Sequence, residues 1–400
     1  MERSSGILLP LFSLPSPYGI GTMGLAAYDF ADLLHAAGQR YWQMLPLGPT
    51  SYGDSPYQSF SAYAGNPYYI DPDMLAADGL LTAAECAAPD WGSDPRHVDY
   101  GKIYESRFTL LRKAYQRGWE RDADAVADFR AENERWLPDY ALYMACKRHF
   151  GMKAWTEWED EDIRLRKSEA VLEKYRVLLA DDVQFFTYLQ FLFFSQWELL
   201  RDYVHQQGIR IIGDLPIYVS LDSADVWAEP QFFQLDEELV PKSVAGVPPD
   251  YFTADGQLWG NPLYDWDAMR DDGFGWWIRR IDGAGKLYDV IRIRHGSDRP
   301  AQRLVPPAGV HRGGSGLSHA GGGAAAARLR LAGHEGAGIR LRLPRHQQLP
   351  PPHLHAPLHL LHRHPRQQSP AAVAAGGRAG GHRLCHRISG ADRGRGLPLG

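Results

Sequence analysis

A chain of 400 residues, 44% hydrophobic and 12% aromatic, is long and apolar enough to bury a sizeable core. Its three cysteines (Cys86, Cys146, Cys385) share no motif spacing and cannot all pair, which excludes a disulfide framework and fits a reducing compartment. The N-terminus lacks a basic region followed by a long apolar stretch, and no run reaches the roughly 18 apolar residues of a membrane span, so a soluble, cytoplasmic protein with no membrane partner is expected.

In chain order, residues 6–10 read as a short buried strand. A helix over 25–37 follows, with Phe30, Leu33, Leu34 and Ala37 at i, i+3, i+4, i+7 and Gly38 as its stop. Residues 41–46 form the next strand and lead into a loop, 48–57, rich in Gly, Pro and Ser. Residues 1–71 are thus a barrel start. Residues 72–180 are charged with a helical pattern and predict an inserted helical subdomain.

Residues 181–293 return to alternation: a Phe-rich helix over 183–207, a strand over 209–214, a helix over 276–287 and a strand over 288–293. Strands alternating with helices predict a parallel α/β sheet, whose chemistry sits at the C-terminal strand ends. The polar clusters lie there: Asp54 to Gln58 after the second strand, Asp214 after the third, Arg292 at the fourth.

At residue 294 the composition breaks. All 12 Trp, 20 Tyr and 15 Phe lie at or before Tyr288. Residues 294–400 hold 16 Arg against three acids (Asp298, Glu335, Asp392), a formal +13 that leaves −18 for residues 1–293. An Ala/Gly/Pro/Arg/His mixture without aromatics cannot offset chain entropy by burial, so a disordered, low-complexity basic tail is expected. Two origins compete: a nucleic-acid-binding arm, disfavoured because no aromatics interleave the charge, and a shifted reading frame in a GC-rich gene.

The segment Tyr41-Trp-Gln-Met-Leu-Pro-Leu-Gly-Pro-Thr50, followed by Tyr52-Gly-Asp-Ser-Pro-Tyr-Gln-Ser-Phe-Ser-Ala62, resembles the amylomaltases, the 4-α-glucanotransferases of glycoside hydrolase family 77. Ala64-Gly-Asn-Pro-Tyr68, Ile211-Ile-Gly-Asp-Leu-Pro-Ile217, Ala245-Gly-Val-Pro-Pro-Asp-Tyr-Phe252 and Gly256-Gln-Leu-Trp-Gly-Asn-Pro-Leu-Tyr264 match in order. The resemblance covers residues 5–293. It implies a (β/α)8 TIM-type barrel with a helical insertion, of which only the N-terminal part, about four strands, is in frame.

The resemblance also implies transfer of α-1,4-glucan segments between maltooligosaccharides by retaining double displacement. One carboxylate attacks the anomeric carbon and a second carboxyl group protonates the leaving oxygen. No cofactor or metal is implied, since two carboxyl groups with separated pKa values suffice. Maltooligosaccharides are the partner, and no nucleic acid is expected.

By the same resemblance Asp214 contacts the sugar beside the scissile bond, where the bland alternative is a buried ion pair. Tyr57, with Ser55 beside it, stacks on that sugar, or else packs the loop. Trp259 stands at the acceptor rim, or else in the core of a Gly-flanked turn. Asp250 and Tyr251 lie in a mobile loop arching over the glucan, in a stretch that would suit exclusion of water, or else in a plain surface turn. Asn261 reads as structural. Arg292 and His295 flank the nucleophile slot, where Arg292 would pair with the nucleophile and keep it ionised. That slot holds Arg294 instead of Asp. A guanidinium stays protonated and cannot attack carbon, so no catalytic carboxylate is intact and negligible activity is expected.

With codons chosen among synonyms, residues 311–321 read one base later as Ile-Ala-Glu-Asp-Leu-Gly-Phe-Leu-Thr-Pro, similar to the family's acid/base motif. Residues 361–368 read likewise as Tyr-Thr-Gly-Thr-His-Asp-Asn, similar to its third-acid motif. A related α-glucan hydrolase, and a catalytically dead glucan-binding protein with a basic arm, remain the rivals.

Overall fold

The computed structural model describes residues 3–51, 53–247, 249, 255–293 and 339–342. The chain begins β1 (Gly6–Leu8), α1 (Leu25–Ala36), β2 (Tyr41–Met44). A helical stretch follows: α2 (Pro72–Ala77), α3 (Ala83–Ala87), α4 (Tyr100–Gly118), α5 (Ala123–Glu132), α6 (Leu137–His149), α7 (Glu161–Arg164), α8 (Glu169–Leu178) and α9 (Ala180–Gln206). Then come β3 (Arg210–Leu215), α10 (Ala224–Ala228), β4 (Val244–Val247), β5 (Gln257–Pro262), α11 (Trp266–Asp271), α12 (Gly275–Leu287), β6 (Val290–Ile293) and β7 (Ile339–Arg342).

The main sheet has the order β1-β2-β3-β6-β7, with the first four strands parallel. Its register sets Leu8, Gln43, Ile212 and Val290 in one row, with Asp214 beside Arg292 one pleat further on. Because side chains alternate along a strand, these residues share one face while Ile7, Trp42, Met44, Ile211 and Ile291 share the other. The second face carries the helices: Trp42, Met44, Ile211 and Ile291 are fully buried, and Phe30 of α1 meets the Trp42 ring edge-on at 4.9 Å.

Helix α9 is the spine of the core. Phe185, Phe193, Trp197, Leu200 and Val204 are buried along it, and α6, α4, α5, α8 and α1 all pack on it. Among the described residues no single helix is long and apolar enough to cross a membrane. The pair α8 and α9 passes that test only together, across an 86° bend, and much of α9 lies in the core.

Four expectations need correction. The first strand, read as buried, is Gly6–Leu8 with all three residues exposed, because it is an edge strand that pairs with β2 alone among the described strands. The buried stripe of α1 is Ala27, Ala31 and Leu34, whereas Leu33 is 60% exposed and Ala37 is exposed, because α9 covers α1 from one side and leaves Leu33 uncovered. The stretch read as a mobile loop and a Gly-flanked turn contains the antiparallel hairpin β4–β5, whose two strands are weak by composition because Gly246 and Gly260 interrupt them. Of the tail expected to be disordered, Ile339–Arg342 form a strand antiparallel to β6; the rest lies outside the described residues. An edge strand offers a row of free N–H and C=O groups, and β7 takes up those of β6.

Candidate functional site

The C-terminal ends of β2 and β3 open onto a hollow lined by Tyr57, Asp214, Tyr218, Ser220, Arg280 and Tyr288, among others, and Arg292, near the end of β6, stands beside Asp214 in the register. Asp214 reaches it from β3, and its carboxylate is 1% exposed. Burying a carboxylate is costly unless it is paired and hydrogen-bonded. Here the neighbouring strand supplies the partner: the Arg292 fork grips Asp214 bidentately, Nε donating to Oδ1 at 2.6 Å and Nη2 to Oδ2. The Tyr57 hydroxyl donates to Oδ2 at 2.9 Å. The Gln43 carboxamide, with its oxygen toward the guanidinium, accepts from Nε and Nη1 at 3.3 Å each. The Asp214 carboxylate holds the Arg292 guanidinium above its ordinary value.

Tyr57 is delivered by a tight turn. Ser51 N donates to Gln58 O, Gln58 N to Ser55 O, and the Ser55 hydroxyl accepts from Tyr57 N at 3.3 Å. Gln58 then ties this turn to β5, its Nε2 donating to Asn261 Oδ1 at 2.9 Å and to Trp259 O at 3.2 Å. Asn261, 4% exposed, donates in turn to Val219 O. Trp259 lies half-buried on β5, its ring 6.4 Å from Tyr218, with its indole N–H donating to Gln257.

The floor is built from rings and one buried cation. The Tyr288 ring lies where a Cβ on Gly213 would sit, 2.2 Å from two ring carbons and 2.3 Å from a third, so only glycine fits in β3 beside Asp214. The Tyr288 hydroxyl accepts from Leu47 N, and burial raises its pKa. Arg280, 1% exposed on α12, donates to the carbonyls of Pro216 and Ile217 and to the Tyr264 hydroxyl, which itself donates to Ile217 O. Burial pushes Tyr264 up to about 12 and also raises Tyr218. Behind the loop, the Asp225 carboxylate accepts from Ala62 N at 2.8 Å, and burial pushes it up to about 6.

The arrangement offers a paired carboxylate, a phenol, a guanidinium and flat rings, the equipment for hydrogen-bonding and stacking a polyol. Among the described residues lining the hollow, Asp214 is the one carboxylate. No group of three or more His, Cys, Asp or Glu among the described residues is placed to hold a metal ion.

The family model described as 4-alpha-glucanotransferase matches residues 9–296. The chain belongs to this family. A 4-alpha-glucanotransferase of Streptococcus pneumoniae is 51% identical over 295 residues, covering 74% of this chain and 58% of that protein. One from Thermus thermophilus is 48% identical over 301 residues, again 74% of this chain and 58% of the relative. Amylomaltase from Streptococcus agalactiae, solved in complex with acarbose, superposes with a TM-score of 0.71 at 46% identity, covering 74% of this chain and 59% of that one. The four parallel strands are therefore part of the amylomaltase TIM-type barrel, and the chain spans about three-fifths of the length of the curated relatives it matches.

Against this family frame, Tyr57, Asp214 and Arg292 come together in one cluster, with Ser55 acting through the Tyr57 backbone. Asn261 is a structural tie, as the sequence suggested. Trp259 stands apart from the carboxylate cluster, on a strand and not in a core turn, joined to the cluster's loop through Gln58. Asp250, Tyr251 and His295, with the slot residue Arg294, lie outside the described residues. Arg292 grips Asp214, its neighbour in the strand register, which is the buried ion pair that stood as the alternative reading of Asp214; the pairing expected with the residue at 294 falls outside the described residues. Sequence reasoning passed over Gln43, Tyr218, Arg280 and Tyr288, and placed Gln58 in a polar cluster without giving it a role. Gln43 had a signal, a polar residue between buried Trp42 and Met44; Arg280 had none, since an arginine on a helix reads as surface.

Proposed function

We propose that the hollow binds an α-1,4-glucan chain, as maltooligosaccharide, and that the family activity is 4-α-glucan transfer in the cytoplasm. The observation that carries this reading is the Tyr57–Asp214–Arg292 cluster at the strand ends, under the loop that bears the family's longest motif. That the Streptococcus agalactiae relative was solved in complex with acarbose supports a carbohydrate ligand for this chain.

For the chain itself we infer binding without turnover. Retaining transfer needs two carboxyl groups about 5–5.5 Å apart. The slot for the attacking one is occupied by Arg294. A reading-frame shift near codon 294 accounts for both the lost acid and the change of composition. Maltoheptaose titration followed by tryptophan fluorescence is expected to show saturable binding that Tyr57→Phe weakens several-fold, while maltotriose stays undisproportionated. Disproportionation at an ordinary enzymatic rate would falsify the inactive reading, and absence of binding would remove the glucan reading. Sequencing the gene tests the shift: codons 294–400 should open, in another frame, into the acid/base and third-acid motifs.

A further inference from the structure

Gln58 follows Tyr57 in its turn and meets the hairpin that carries Trp259. In that hairpin the pairs Gly246↔Leu258 and Val244↔Pro262 leave one residue of β4 opposite three of β5, namely Trp259, Gly260 and Asn261. Such a bulge interrupts the ladder and re-aims the side chains it carries. Gly260 makes the bend in the left-handed region, at φ 76°. The ladder alone therefore does not fix Trp259. Gln58 supplies what is missing: its Nε2 donates to Trp259 O at 3.2 Å and to Asn261 Oδ1 at 2.9 Å. The buried Asn261 amide returns a bond to Gln58 Oε1 at 3.4 Å and donates to Val219 O at 2.8 Å.

On each of these two side chains both N–H donors and the oxygen are thus engaged. A carboxylate of the same shape could accept but not donate, and would leave Trp259 O and Asn261 Oδ1 without that donor. On the other side the turn is anchored by the Tyr57 hydroxyl, which donates to Asp214. A bonded line runs from Asp214 through Tyr57 and Gln58 to Trp259. Val219, held by the same pair, adjoins Tyr218, whose ring lies 6.4 Å from that of Trp259 and stacks on Tyr264 at 5.9 Å. We propose that Gln58 is a positioning residue that couples Tyr57 to Trp259, so that a maltooligosaccharide gains fully from either ring only when the other is in place. Its carboxamide is engaged by protein, and it acts through its neighbours. This rests on the reading that the hollow binds glucan.

The test is a double-variant cycle on the full 400-residue chain, read as maltoheptaose affinity by titration calorimetry. Trp259→Leu should weaken binding about tenfold alone and about twofold in a Tyr57→Phe background, because the freed turn no longer holds the indole. In a Gln58→Glu background the two changes should act independently, their factors multiplying, with folding intact by melting temperature. A side chain that merely filled space would keep the coupling in Gln58→Glu. Independent effects in the parent, coupling that survives Gln58→Glu, or a Gln58→Glu chain that does not fold overturns the proposal. Maltoheptaose binding with independent effects leaves the glucan reading standing and removes the coupling alone; a parent chain that binds none removes both.

Discussion

The two faces of one sheet differ more than their sequences do. On the helix-covered face Trp42, Met44, Ile211 and Ile291 are sealed from solvent; on the inner face Tyr41, Gln43, Val290 and Arg292 are only half-buried and Leu8 is 50% exposed. Both faces carry residues suited to burial. What differs is the number of neighbours: helices close one side, while the inner side of a barrel is closed by strands from across it. Burial on that face is therefore a property of closure. Ile212, at 9%, is also buried on that face, and the charged exception is Asp214, which is buried there because Arg292, Tyr57 and Gln43 surround it.

That exception gives the largest expected effect. Arg292→Leu leaves the Asp214 carboxylate buried without a cation, and removing one partner of a buried pair costs about 3–5 kcal/mol. Urea denaturation at pH 7 should show a loss of this size, with much of it recovered in the double variant Arg292→Leu/Asp214→Asn, which removes the orphaned charge. If the single variant loses under about 1 kcal/mol, as exposed ion pairs do, the cluster is no island of burial.

A sharper comparison sets Ile211→Ala against Leu8→Ala. Ile211 is fully buried under the helices, and truncating such a side chain costs about 3 kcal/mol through lost transfer energy and the cavity left behind. Leu8, on the open face, should cost about 0.5 kcal/mol, like other exposed positions. The two midpoints, read in one denaturant series, should separate clearly. Equal losses would mean that the inner face is closed in solution.

The legible parts of this chain were those that local rules govern. The strands around Trp42 and Ile211 and the helix ending at Gly208 follow from apolar runs and a left-handed stop, and each lies within a few residues of its expected bounds. Asp214, Tyr57 and Arg292 could be read because they stand at strand ends, where a parallel sheet puts its chemistry. The remainder depends on partners distant in sequence. Leu33 fits an apolar stripe, yet it is exposed because the stripe says nothing about which neighbour is present. Arg280 looks like a surface arginine, and it is buried because the turn after β3 presents the carbonyls of Pro216 and Ile217 to it. The sequence allowed a buried ion pair for Asp214 but could not name its cation: strand register, which sequence spacing does not give, puts Arg292 next to it.

A further effect concerns another buried carboxylate, behind the loop that carries Tyr57. Asp225 has no bidentate fork like that of Asp214; it accepts from Ala62 N, and Arg280 only moderates its burial. Its pKa is therefore raised from 3.8 to about 6 in the folded protein. The protonated form is the one the fold favours, so this group lowers stability as pH rises from about 4 through about 6, and the penalty stays constant above that. Two pKa units correspond to roughly 2–3 kcal/mol at most. Asp225→Asn keeps an oxygen for Ala62 N and removes the charge, so the variant should gain on the parent chain at pH 7.5 and gain only about a third as much at pH 4.5. Comparing the two proteins at each pH cancels every other titrating group. A gain of the same size at both values would assign the effect to packing, and the loop would then owe nothing to the ionisation of Asp225.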